Sequence, residues 1–125
     1  MNGINITAAW IGILLGFLSG ATQGLFFHKD SWLGGYTTWA RRMTRLGHIS
    51  FFGLSFVNLA YALSIEMSQI RGNELSSLLL IVGAVTMPLV CYLSALKKSL
   101  RHLFPIPVVC IIVGVGAFLF DGGVL

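Results

Sequence analysis

Four apolar runs separated by short polar stretches set the plan of the chain. Residues 5–27, 47–65, 75–96 and 105–120 each read as a helix, and none of the four contains Asp, Glu, Lys or Arg. At about 1.5 Å of rise per residue the first run reaches roughly 34 Å, enough to cross a hydrocarbon core of about 30 Å with modest tilt. The pattern predicts an all-α, polytopic integral membrane protein: a bundle of four transmembrane helices joined by short loops, one domain over residues 1–125.

Within the first run Gly12, Gly16, Gly20 and Gly24 recur every fourth residue. Each glycine costs about 1 kcal/mol relative to alanine inside a helix in water. In lipid, small residues one turn apart instead make a groove in which a neighbouring backbone can lie. These four glycines are therefore expected to form a helix-packing face, with Gln23 placed to hydrogen-bond across the bundle. In and just before the second run, Thr44, His48, Ser55 and Asn58 fall within an arc of roughly 80° at 100° per residue. Such a polar stripe should face protein, because hydrogen-bonding groups turned to hydrocarbon go unsatisfied.

The connection 28–46 is too amphipathic for a bare linker. It carries Trp32, Tyr36 and Trp39, suited to the headgroup level, and residues 37–46 read as a short interfacial helix running into the second span. Pro88 should kink the third span, Pro105 and Pro107 suit the start of the fourth, and Gly114 and Gly116 permit close packing there.

Composition agrees with this plan: 56% of residues are hydrophobic and 10% charged, against about 25% charged in soluble domains. The net charge of +4 does not indicate nucleic-acid binding, because the basic residues are confined to loops. Lys29, Arg41, Arg42 and Arg45 lie in the first, Lys97, Lys98 and Arg101 in the third, and Arg71 alone in the second. By the positive-inside rule the first and third loops are cytoplasmic and both termini lie outside, in a membrane of the bacterial inner type. No Lys or Arg precedes residue 29 and no cleavage-site pattern follows the first run, so that helix is expected to be retained. Cys91 and Cys110 sit inside apolar runs and read as small buried residues.

Candidate chemistry centres on three histidines, which this topology puts on the cytoplasmic side. His48, paired with His28 or His102, has the residue types to hold haem b or a metal ion, with Arg45 near enough in sequence to meet a propionate or phosphate. Arg45-Leu46-Gly47-His48 followed by aromatic residues resembles the histidine-bearing helices of haem-containing respiratory membrane subunits, and the resemblance implies a haem ligand at His48. Interfacial histidines equally cap helices or bond backbone carbonyls. The acids Asp30, Glu66, Glu74 and Asp121 all fall at or beyond span ends, which argues against proton-coupled transport. With no nucleophile and base pair and no phosphate loop, the chain is expected to be non-enzymatic. The expected function is a small non-catalytic membrane subunit of a larger, respiratory or electron-transfer complex. Its partners would be membrane lipids and other integral subunits or further copies of itself. A b-type haem or metal electron-transfer protein is the alternative, and a small channel or lipid-handling protein rests on the polar stripe alone.

Overall fold

The computed structural model describes residues 2–125, and among them all regular structure is helical. Four helices, α1 (Asn2–Gly24), α2 (Trp39–Ser68), α3 (Glu74–Leu96) and α4 (Pro105–Asp121), are each long and apolar enough to cross a membrane, α4 together with the turn before it. Short 3₁₀ turns at Trp32–Gly34 and Lys98–Leu103 fill the first and third connections.

The boundaries differ from the apolar runs for local reasons. The α1 helix stops at Gly24, where the amides of Phe26 and Phe27 both turn back to the Gln23 carbonyl. The interfacial segment and the second span are one helix, α2, which begins at Trp39. Thr38, in an extended conformation, caps it by accepting from the Arg41 amide, supplying an acceptor to an otherwise orphaned N–H. At its far end Gln69 takes a left-handed conformation (φ 52°) and stops it. Asn73 caps α3 through the Leu75 amide, and Pro105 opens α4 where no helical N–H is needed. The α3 helix runs unbroken through Pro88. The Thr86 hydroxyl donates back to the Val82 carbonyl at 2.7 Å within it.

Consecutive helices are antiparallel and each packs on the next. The α1–α2 contact is built on the glycine ladder: a Cβ at Gly12 would overlap the Ser55 hydroxyl, one at Gly16 would lie 2.8 Å from the Phe52 ring, and one at Gly20 would lie 2.5 Å from His48. Gly24 meets nothing. Against α3, Gly47 of α2 accepts the Tyr92 ring and Cys91, and Gly83 of α3 accepts Ile111 of α4. The helices do not close into a square bundle. The first helix also touches α3, while α4 packs chiefly on α3 and reaches α2 through the edge-to-face pair of Tyr61 and Phe118 (5.1 Å between centroids).

The core is correspondingly small, with Ala9, Ala62, Leu80, Val90 and Cys91 at its centre, while long apolar side chains such as Trp10, Phe17, Phe56 and Ile112 point outward. Three polar side chains cross-link it. Asn5 donates to the Asn58 side-chain oxygen at 2.8 Å, Ser77 donates to Asn5, and Asn58 donates to the Leu80 carbonyl at 3.1 Å, so α1, α2 and α3 are joined at a point closed to solvent. Cys91 and Cys110 are free thiols. The antiparallel order gathers seven of the eight Lys and Arg residues at one end, the basic end, and leaves Arg71, Glu66, Glu74 and Asp121 at the other.

Leucine at Gly16 or Gly20 should therefore lower the thermal stability of the purified protein by about 1–3 kcal/mol, the usual cost of overpacking a fitted contact. Leucine at Gly24 should be tolerated. Thermal unfolding of the three variants checks this, and equal effects at all three positions would rule the contact out.

Candidate functional site

The sequence-predicted site residues separate into an interior group and a surface group. Interior positions come from the polar stripe of α2: Thr44, Ser55 and Asn58 are buried and His48 is half-buried. His28 and His102 are exposed. Among the described residues no three His, Cys, Asp or Glu side chains converge where a metal ion would sit.

His48 is held by α1. Its Nδ1 lies 3.1 Å from the Ser19 hydroxyl, its ring sits over Gly20, and Phe52 meets it edge-on at 5.4 Å. Ser19 also donates to the Gly16 carbonyl at 3.0 Å. Tyr92 of α3 also reaches Ser19, and Gln23 donates to the Tyr92 hydroxyl at 2.9 Å. The result is a chain of polar side chains, Gln23–Tyr92–Ser19–His48, across three helices. The cross-bundle role expected of Gln23 is realised, although its side-chain oxygen is buried without a partner. The ring thus packs on Gly20 and bonds Ser19 of α1 through Nδ1. In this arrangement the ring acts as a packing and hydrogen-bonding group.

Arg45, expected near a ligand phosphate or propionate, is instead spent on Tyr36. Its guanidinium stacks on that ring at 4.3 Å and donates to the Tyr36 carbonyl at 3.4 Å. The more buried cation is Arg41, 3% exposed. It donates to the Phe27 carbonyl at 3.0 Å and to those of Lys29 and Asp30 at 3.4 Å, among the rings of Phe27, Trp32 and Tyr36. Carbonyls of the connection that follows α1 thus receive a guanidinium, whose planar fork reaches several acceptors at once. Trp32 stacks on Phe26 and meets Phe27 edge-on, completing a folded aromatic cap on the basic end.

Comparison with known protein families, with curated proteins and with solved structures finds no match. The site is therefore read from its own geometry.

Two clefts complete it, one on each side of the helix layer. The first, about 430 Å³, opens between α1 and α3 over Phe51 and Ser55 of α2. The second, about 460 Å³, opens between α2 and the start of α4, lined by Leu46, Ile49, Ser50, Gly53, Met87 and Phe104 among others. Sequence reasoning found the stripe residues but not Asn5, Ser77, Tyr92 or Arg41 as their partners. The one signal was polarity inside or beside an apolar run, which does not specify the partner.

Replacing Arg41 with alanine should free the first connection while leaving the helices in place. Trypsin cleavage after Lys29 should then rise several-fold in detergent, and Arg45→Ala should change it far less. An unchanged cleavage rate for Arg41→Ala would show that the guanidinium does not hold this segment.

Proposed function

We propose that the protein is a small, non-catalytic integral membrane subunit that receives an apolar helix of a partner chain in its second cleft. The observation that carries this is the state of Gly53. A Cβ there meets nothing within 4 Å, although Gly53 lies in a cleft lined by α2, Met87 of α3 and Phe104 just before α4. The other central glycine of α2, Gly47, is filled from within by Tyr92 and Cys91. In hydrocarbon a small residue in an open groove is a place for close backbone approach, the main source of helix association there. The groove offers little polar chemistry to a small ligand, since the Ser50 hydroxyl is already bonded to the Gly47 carbonyl at 2.7 Å. A partner helix, from another subunit or a second copy, fits it better. A respiratory or electron-transfer complex is the setting that the sequence of α2 favours.

Orientation follows from charge. We place the basic end on the cytoplasmic side of a bacterial-type inner membrane, with both termini outside, because Lys and Arg are retained on that side. A single cysteine at Tyr36, in a background lacking Cys91 and Cys110, should react with an impermeant maleimide only after the membrane is opened from the cytoplasmic face. One at Gly72 should react in intact cells, and the reverse pattern would invert the assignment.

Leucine at Gly53 tests the partner surface without disturbing the fold. Thermal stability of the isolated chain should hold, while recovery of partner subunits, or of a second tagged copy, in mild-detergent purification should fall about tenfold. Purification of the wild type as a lone monomer from native membranes would defeat the proposal.

A further inference from the structure

The groove that holds Gly53 offers shape alone within the span, yet it opens at its basic end onto charge. On α2 the lining residues Leu46, Ile49, Gly53 and Val57 fall within an arc of roughly 80° at 100° per residue, and Arg42, one turn before Leu46, lies inside that arc. Arg42 is exposed. Arg41 and Arg45 fall outside the arc and meet the first connection instead, at the Phe27 carbonyl and the Tyr36 ring. The wall opposite α2 at this end is Phe104, which follows the turn Lys98–Leu103, whose Arg101 and His102 are exposed. An apolar groove thus leads from an open glycine to a mouth set with cations. Asp30 is the one acid at the basic end against seven Lys and Arg, and its backbone is tied to Arg41 rather than to Arg42.

Charge separates the occupants that the groove's shape admits. A second copy meeting this one about a two-fold axis along the membrane normal would present the same patch, setting Arg42 against Arg42 and one basic end beside another. Like charges so juxtaposed oppose binding. An inverted copy would bring Glu66, Glu74 and Asp121 to that level, but would carry its own seven cations across the membrane, against the rule that retains Lys and Arg on one side. A phospholipid would supply a phosphate, but its chains gain nothing from the absent side chain at Gly53, whereas a helix backbone does. What remains is a helix of a different chain that ends beside Arg42 in an acid. Asp and Glu weigh little in setting orientation, so such a helix is free to insert with its acid at this end.

We propose that the Gly53 groove receives a helix of a different membrane protein carrying Asp or Glu level with the basic end, where the carboxylate pairs with Arg42. The proposal rests on the reading of the groove as a helix seat and supplies the partner's chemistry.

The test places the photo-cross-linker benzoylphenylalanine at Ile49, an exposed residue of the groove, in the full chain in its native membranes, and maps the adduct by mass spectrometry. The adduct should join Ile49 to an apolar segment of another protein with Asp or Glu about two helical turns toward the basic end, because Arg42 and Ile49 stand roughly 10 Å apart along α2. Arg42→Gln should lower the adduct yield about two- to fivefold, as expected of an ion pair near a surface, and Arg42→Lys should keep most of it. Arg45→Gln removes the same charge off the groove face and should change the yield little. Arg42→Glu should lose more, and Lys in place of the partner's acid should restore that loss. An adduct with a second copy, with phospholipid alone or with a segment lacking the acid would overturn the proposal, as would equal effects of Arg42→Gln and Arg45→Gln. If Gly53→Leu abolishes the adduct while Arg42→Gln leaves it intact, only the acidic-partner assignment falls. If no protein adduct forms, or Gly53→Leu leaves it unchanged, the helix seat falls with it.

Discussion

Close approach of α1 and α2 is the contact on which the rest of the arrangement depends. With no hydrophobic force between helices in hydrocarbon, two of them stay together through fitted surfaces and a few hydrogen bonds. Here the fit is made by removing side chains from one helix and inserting those of the other: Gly12, Gly16 and Gly20 take Ser55, Phe52 and His48. Because both ladders descend one turn at a time, the register is determined at three points at once. A slip by a residue would drive Phe52 or His48 into the side chains flanking the ladder. The Asn5–Asn58–Ser77 cluster then ties the pair to α3, where a displaced helix would leave buried amide groups unpaired.

Consequences run outward from that contact. Holding α2 against α1 puts Arg41, in the first turn of α2, beneath the end of α1, where it collects the Phe27, Lys29 and Asp30 carbonyls. The connection between α1 and α2 thus becomes an ordered cap. At the opposite end Asn73 has the matching task, bonding Tyr61 of α2 and Asp121 of α4. Each end of the layer is closed by one residue that reaches two neighbouring segments. Between the ends the lateral faces stay apolar, which suits hydrocarbon.

The two clefts differ in what the chain leaves undone. Toward α4, the hydroxyl of Ser50 is satisfied within its own helix and Gly53 stands open, so shape is the only feature on offer. Toward α1, Ser55 is seated on Gly12 and lines a cleft that also holds Pro88. A surface offering shape alone suits a helix. His48, the residue with the richest chemistry in the sequence, lines neither cleft and is bonded to Ser19 of α1 through Nδ1.

Four apolar spans, the glycine face and the segregation of basic residues to one end were legible in the sequence, because each depends on spacing along one helix or on counting charges between helices. The same is true of the stripe Thr44, His48, Ser55 and Asn58, since a helix's geometry determines which of its residues share a face. What those faces meet was not legible. Whether Gly24 or Gly20 receives a side chain, whether His48 points to a cofactor or to Ser19, and whether Arg45 or Arg41 is the buried cation depend on the register between helices. That register emerges only when all the interlocking side chains are placed together. The open layer in place of a closed bundle has the same origin. Nothing local to α4 tells it to pack on α3 and leave α1 uncovered, and only the summed fit of Gly83, Gly114 and their neighbours, in three dimensions, decides it.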